Sequence, residues 1–554
     1  MIAPGQRPFI KAVRSAQMKA LLGACMDLSQ LIDALSDPAA YPANPAEVEV
    51  VQTHISVVFL AGEWVYKIKK PVQLGFVDFS TIEKRRYFCE EEVRLNARLA
   101  PEVYLGVVPV GNQGGKVQVE ADSQAVEWAV KMRRLPEEAT LESRLARGEV
   151  DDALMADVAR RIAEFHAQAE AGERIAAFGR FDVVAGNARD NFEQSRDHIG
   201  QTISAAVFDR LRARTDEVLS DQRALIENRA RRGVPRDTHG DLRLDHVYVV
   251  EENAASRRLL IIDCVEFNEG FRYADPVSDV AFLAMDLKYA GRRDLARAFS
   301  DAYFDASGDG EGRALLSFYT AYRAAVRGKV EGLKQAEPEV PEEDRALARV
   351  RARGYWLLAL GELEPPERRP CLVLVAGLPG SGKSTLAAAL NRHGDYHVVR
   401  SDVVRKELAG LPAEATAAGA FGTGIYSPEW SERTYGECLR RAEARLFEGQ
   451  RVILDASFRE ESHRAAFLEA ARRWNVPAVL LVCHAEPETI RSRLAARSGD
   501  VSDADWSIHQ AAARAWEPLS SNTKAATRII PSEGALKHTQ QCALTALRAF
   551  DIER

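Results

Sequence analysis

The sequence predicts a multidomain chain in which an α+β region precedes a parallel α/β domain. Three observations predict it. At 554 residues the chain exceeds what one hydrophobic core can hold together. Short β-rich runs followed by long helical patterns occupy the chain up to about residue 360. From residue 371 onward apolar runs alternate with helical stretches, the order that builds a parallel sheet with crossover helices.

Residues 55–60 (ISVVFL) and 64–69 (WVYKIK) are β-rich runs around Ala61-Gly62-Glu63, a hairpin signal. Residues 81–100 predict a helix, with Phe88, Glu92, Leu95 and Leu99 on one face. A strand pair is expected near 103–110 and 126–133, then mostly helix from 138 to 232. A short strand pair follows at 247–250 and 259–263, with helices from about 276 to 360. Two prolines in Glu364-Pro365-Pro366-Glu367 cannot continue a helix, so 364–370 is expected as a linker between domains 26–363 and 371–554. Beyond it the pattern predicts strand 371–376, helix 383–392, strand 396–400, helix 403–409, and strands 451–455 and 478–483.

Composition narrows the function classes. A hydrophobic content of 46% with 28% charged residues lets each domain bury a core without staples. The net charge of −7 argues against nucleic acid as an obligate partner, and acidic residues lie close to the basic clusters at 229–232 and 349–353. The seven cysteines form no CxxC pair and no Cys/His ligand spacing, which points away from zinc and disulfides and toward a reducing cytoplasm. No apolar run nears the ~20 residues that span a bilayer, so no membrane partner is expected. Residues 1–25 place Lys11, Arg14 and Lys19 before an apolar stretch too short for a signal core, and are expected to be an extension outside the fold.

The strongest motif is Gly377-Leu378-Pro379-Gly380-Ser381-Gly382-Lys383-Ser384. It follows a continuous apolar strand and opens the helix-forming run that starts Thr385-Leu386, the context a phosphate-binding loop needs. Glycines let backbone N–H groups turn inward around phosphate oxygens, and the helix N-terminus adds a favourable dipole. The expected ligand is ATP with Mg²⁺, contacted by Gly377, Gly380, Ser381, Gly382, Lys383, Ser384 and Thr385, with the Ser384 hydroxyl on the metal. After the next strand, Asp402 in Ser401-Asp402-Val403-Val404-Arg405 is placed to accept a proton from an attacking hydroxyl, and Arg405 to hold a phosphate. The alternative is that Ser401 or Asp402 caps the helix. Val452-Ile453-Leu454-Asp455 has the strand-then-Asp form that positions Mg²⁺ or a water. Arg493 and Arg497 fall four apart on one helical face, where a mobile lid could carry them to the transferring group.

These motifs make residues 370–520 resemble the small P-loop kinases that include gluconate kinase, zeta toxin and the kinase domain of phage polynucleotide kinase. The resemblance implies ATP-dependent phosphorylation of a hydroxyl and leaves the acceptor open.

Farther upstream, Thr238-His239-Gly240-Asp241 is followed by a strand and then by Leu260-Ile261-Ile262-Asp263. This block resembles that of aminoglycoside and choline phosphotransferases, which share the protein-kinase-like fold. Carried over, the resemblance implies Asp241 as catalytic base and Asp263 as Mg²⁺ ligand, and the Asp275-Pro276-Val277-Ser278-Asp279 segment matches the family's structural aspartates. It implies that Lys67 contacts the α and β phosphates, with Lys69 as the alternative, and that Glu91 or Glu92 holds the lysine. One position departs: His246 stands where the family carries Asn as a second metal ligand, and imidazole is a poor Mg²⁺ ligand. Either Asp245 supplies an oxygen, or one metal binds, or this domain has lost catalysis.

The whole chain thus resembles tandem proteins that join an aminoglycoside phosphotransferase-like domain to a P-loop ATP-binding domain. That resemblance implies two ATP-dependent phosphotransferase sites acting on hydroxyls of small molecules. Two alternatives stay open: one active P-loop kinase regulated by a kinase-like sensor, or a nucleic-acid-end kinase. Acceptor specificity is expected to come from residues 180–230 and 410–435.

Overall fold

The computed structural model describes residues 27–75, 77–113, 116–121, 125–253, 256–338, 340–412, 422–496 and 505–554. The expected extension 1–25 lies outside them, as do Arg497 and part of the 410–435 segment. Among the described residues no helix is long and apolar enough to cross a membrane. The chain forms two compact units: residues 1–143 with 246–269, and residues 144–245 with 270–554.

The first unit is an antiparallel sheet. Its strands run in the spatial order Val48–Gln52, Ser56–Ala61, Trp64–Lys69, Ala125–Arg133, Tyr104–Gln113, Lys116–Val119. The predicted hairpin forms around Gly62, whose φ of +66° suits a tight turn that a side chain would strain. Alternate residues of the central strands, including Val57, Phe59, Tyr66 and Ile68, pack with Leu31 and Leu35. The helix Ile82–Asn96 buries Cys89, Glu92 and Leu95. The hairpin Val247–Asn253 with Ser256–Ile261 completes the unit and ends two residues before Asp263. The outer strands at 48–52 and 116–119 were not legible from β-pattern alone, because the first is largely exposed and the second, though it alternates, is only four residues long.

In the second unit the helices Ala205–Arg231, Val277–Tyr289, Leu316–Ala336 and Glu342–Leu363 share a core with a five-stranded parallel sheet. That sheet has the order Tyr396–Arg400, Arg451–Asp455, Cys371–Ala376, Ala478–His484, Thr527–Pro531. Its central strand is buried along its whole length and splits its side chains between two cores. Cys371, Val373 and Val375 face Leu386, Leu390 and Leu547 of the flanking helices. Leu372, Leu374 and Ala376 belong to a core that also contains Phe208, Phe282, Trp356 and Leu360. The antiparallel sheet, the helices around the H-G-D segment and the parallel domain make this a protein-kinase-like fold followed by a P-loop fold.

The prolines at 365 and 366 end a helix at Leu363, as they must. The 364–370 segment is nevertheless fixed. Glu364 is buried and ion-paired with Arg210, which also donates to the Gly449 carbonyl at 2.8 Å. Gly449 sits at φ +68°, and a Cβ there would lie 2.8 Å from Val207. A proline break ends helical hydrogen bonding without separating the apolar surfaces on either side of it.

Candidate functional site

In the first unit, Lys67 Nζ lies 2.8 Å from Asp263 Oδ1 and 2.8 Å from Glu92 Oε1. Lys69, two residues on and therefore on the same face, pairs with the other Glu92 oxygen and with Glu266. Both lysines are therefore held by carboxylates. Glu91 is not at this cluster's lysines: it pairs with Arg94 at 2.7 Å on the helix surface. Burial raises the Asp263 pKa, but the Lys67 ammonium, with His246 and Lys69 beyond it, holds the carboxyl well below its ordinary range. Burial would likewise depress Lys67, yet Asp263 and Glu92 raise it well above the usual lysine value. Asp263 sits at φ +63°, a left-handed conformation that costs a non-glycine residue energy. Its N–H donates to Tyr104 Oη at 3.2 Å, and the next N–H, of Cys264, donates to Asn96 Oδ1 at 2.9 Å. His246 Nε2 lies 3.7 Å from Asp263 Oδ2, so the structure brings these two predicted metal residues together.

Asp241 belongs to the second unit, where Asp279 builds the loop that carries it. The buried Asp279 carboxylate accepts from His239 N at 2.7 Å and from Gly240 N at 2.9 Å. Gly240 has φ +85°, which opens the turn. His166 braces the far side, contacting Asp279 at 3.2 Å and Tyr303 Oη at 2.9 Å. Burial raises the Asp279 pKa, and the His166 contact outweighs it, leaving the group well below the usual range. Asp245, the alternative oxygen donor, lies 3.2 Å from Arg243. Arg243 also faces Asp286 at 3.7 Å, and burial pushes that carboxyl up to about 6 against the pull of Arg243 and Arg327.

The phosphate loop lies between strand Cys371–Ala376 and helix Lys383–His393. Gly377, Gly380 and Gly382 have φ of +143°, +81° and +89°. A Cβ at Gly377 would meet Ser381 Oγ at 2.5 Å, and one at Gly380 would meet Ile490 at 2.8 Å. Lys383 and Ser384 open the helix, half-buried, while Thr385 is exposed. Ser381 is buried, and its hydroxyl has no partner among the described residues. Asp455 stands at the carboxyl end of its strand, in register with Val375 and Arg400. Its Oδ2 accepts from Arg400 Nε at 3.2 Å, while its buried Oδ1 has no partner among the described residues.

Asp402 is half-buried in helix Ser401–Leu408, whose N-cap is Arg400 with no side-chain capping bond. Neither Ser401 nor Asp402 therefore caps it. Arg405 donates to the Ile425 carbonyl at 2.8 Å and stacks over Tyr426, so the structure sets it against the Gly424–Tyr426 turn. Arg493 donates to the Ser532 carbonyl at 2.6 Å, and Ser532 Oγ donates to the Ser381 carbonyl at 2.6 Å. Arg493 Nη1 lies 3.6 Å from where a Gly382 Cβ would stand, which brings this arginine to the loop. Three residues near the loop went unread in the sequence: Arg400, Ser532 and His509, whose Nδ1 lies 2.8 Å from the Pro379 carbonyl. Arg400 adjoins the S-D-x-x-R block, a signal that could have flagged it; His509 and Ser532 carry no local pattern.

The AAA domain family matches residues 372–519. An uncharacterized protein of Mycobacterium tuberculosis is 34% identical over 468 residues, spanning 84% of this chain and 89% of that protein. Among solved structures, a gluconokinase from Sinorhizobium meliloti aligns with 32% of this chain and 92% of its own, at 19% identity and a TM-score of 0.25. A choline/ethanolamine kinase family protein from Mesorhizobium loti aligns with 60% of this chain and 98% of its own, at 13% identity and a TM-score of 0.35.

Proposed function

The chain belongs to the same family as that mycobacterial protein, and from this premise we propose that it is an ATP-dependent phosphotransferase with two nucleotide sites, acting on hydroxyls of small molecules. One observation carries the reading. The loop 377–384 holds three glycines at positive φ around a helix N-terminus, beside two buried oxygens, Ser381 Oγ and Asp455 Oδ1, without partners among the described residues. Buried polar atoms are normally satisfied, so this pair fits a site that a phosphate and a cation complete.

At that site Lys383 would hold the β and γ phosphates, and Ser384 and Asp455 would hold Mg²⁺. Mg²⁺, when bound, draws off charge from the phosphate oxygens. Asp402 would take the proton of the incoming hydroxyl. Arg493, with Arg405 and Arg497, would balance charge on the transferring group. In the N-terminal region Lys67 would hold phosphates, Glu92 would hold Lys67, Asp263 with His246 would hold the cation, and Asp241 would act as base. The Lys67–Asp263 ion pair and the positive φ of Asp263 fit a lysine and a carboxylate that a Mg²⁺-nucleotide separates.

A second reading is favoured by one feature: the core shared by helix Glu342–Leu363 and the parallel sheet. Under it the kinase-like region senses nucleotide and regulates the P-loop kinase.

Incubation of the full chain with ATP and a metabolite extract, followed by identification of the species that gains phosphate, tests the proposal. A product lost with Asp241→Ala and a second lost with Lys383→Ala support two enzymes. ATP consumption without any phosphorylated acceptor would count against phosphotransfer to small molecules.

A further inference from the structure

Lys67 and Lys69 leave the same face of strand Trp64–Lys69, yet they differ in what they can reach. The Lys67 side chain keeps 15% of its surface exposed and that of Asp263 keeps 44%, whereas Lys69 and Glu92 are at 0%. A ligand arriving from solvent can meet the first lysine and cannot meet the second.

The Glu92 carboxylate is divided between them, Oε1 facing Lys67 and Oε2 facing Lys69. Lys69 also bonds Glu266, three residues beyond Asp263. The Phe79 ring lies 5.4 Å from its ammonium. One buried nitrogen therefore joins the lysine strand, the Glu92 helix and the turn that presents Asp263. That turn needs fixing, because Asp263 holds a left-handed backbone.

We propose that Lys69 is a positioning residue for Mg²⁺-nucleotide at the N-terminal site, orienting Glu92 and the Asp263 turn while leaving Lys67 free to give its charge to phosphate. The inference rests on reading this region as a nucleotide site. The electrostatics follow from the division of Glu92. Lys67 faces two carboxylates, which together over-neutralise it. With Asp263 engaged by a cation, Lys67 faces only a carboxylate already shared with Lys69, and its charge is available to a phosphate oxygen. Without Lys69, Glu92 would belong to Lys67 alone and Glu266 would lose its lysine in a buried setting.

The test uses the full chain carrying Lys383→Ala, so that the N-terminal site alone reports, titrated calorimetrically with ATP in the presence and absence of Mg²⁺. Lys69→Met is expected to weaken Mg²⁺-ATP binding about 10–100-fold and to shrink the gain in affinity that Mg²⁺ confers. A merely structural role would lower the melting temperature and leave that gain intact. Should Lys69→Met fail to fold, Lys69→Met with Glu266→Met replaces the buried ion pair by apolar side chains of similar length and carries the same expectation. A folded variant that keeps the wild-type Mg²⁺ gain overturns the inference alone. Absence of Mg²⁺-ATP binding in the Lys383→Ala parent overturns the nucleotide reading of the site and the inference with it.

Discussion

The Asn475 side-chain amide donates to the Tyr289 carbonyl at 2.9 Å and to that of Lys288 at 3.3 Å. Helix Val277–Tyr289 therefore carries Asp279, the brace of the Asp241 loop, near one end and a contact with the parallel α/β domain at the other. Gly354 seals the same contact, since a Cβ there would stand 2.7 Å from the Arg473 carbonyl.

Cutting the chain at 364–370 should therefore yield two poorly folded pieces. Trp356, Leu358 and Leu360 share their core with Leu374, Leu446 and Leu454, and exposing such side chains costs about 1.5–3 kcal/mol each. Thermal unfolding of fragments 26–365 and 366–554, alone and mixed, checks this. A 366–554 fragment that melts cooperatively at the full-chain temperature would contradict it.

Lys383→Ala in the full chain should abolish nucleotide binding at the P-loop and leave the melting temperature nearly unchanged, because the half-buried lysine shows no ion pair among the described residues. Gly380→Ala should lose both binding and stability, since φ is +81° and Ile490 lies 2.8 Å from the added carbon. Calorimetry and melting curves on the two variants separate these outcomes.

Asp402→Asn should lower turnover of the P-loop activity about 10²–10⁴-fold with little change in ATP affinity. Because no side chain caps its helix, stability should stay within about 0.5 kcal/mol of wild type. A large fall in melting temperature with turnover retained would return Asp402 to a structural role.

At the N-terminal region Asp241→Ala should remove one phosphotransfer activity while ATP still binds, whereas Asp263→Ala should weaken Mg²⁺-ATP binding as well. If the region is a sensor, Asp241→Ala changes nothing and Asp263→Ala alters the P-loop rate. His246→Asn should raise Mg²⁺-supported activity if nitrogen ligation limits it. Initial rates with Mg²⁺ and Mn²⁺ distinguish the cases.

Asp286 provides a pH signature. Burial raises its pKa from 3.8 to about 6, so the folded state binds its proton more tightly than the unfolded state. The stability this confers is full below pH ~3.8 and is lost as pH rises through about 6. Relative to Asp286→Asn, wild type should lose on the order of 1–3 kcal/mol between pH 4 and pH 7. Parallel stability–pH profiles for the two proteins would refute the assignment.

The elements written in consecutive residues were legible without coordinates. The glycine loop between a buried strand and a helix, the Asp455 strand end, the H-G-D segment and the hairpin around Gly62 each show in consecutive residue types, although the H-G-D loop is held in place by Asp279 from 40 residues away. The strand Thr527–Pro531 was not, because it is an edge strand with Ile529 exposed and lacks a buried run.

What the sequence by itself determined was therefore the inventory: a phosphate loop, two lysines two residues apart, and acidic residues at strand ends. Only the tertiary structure decided which of them meet. Glu91 and Glu92 differ by one position, about 100° around the helix, and packing of Cys89 and Leu95 turns Glu92 inward and leaves Glu91 to Arg94. Lys69 finds Glu266 across 197 residues, and Arg400 finds Asp455 across 55. The 364–370 segment reads as a break and acts as a clamp, because Arg210, far upstream, supplies the charge that buries Glu364. Such pairings follow from which faces the hydrophobic cores bury, and no local pattern encodes that choice.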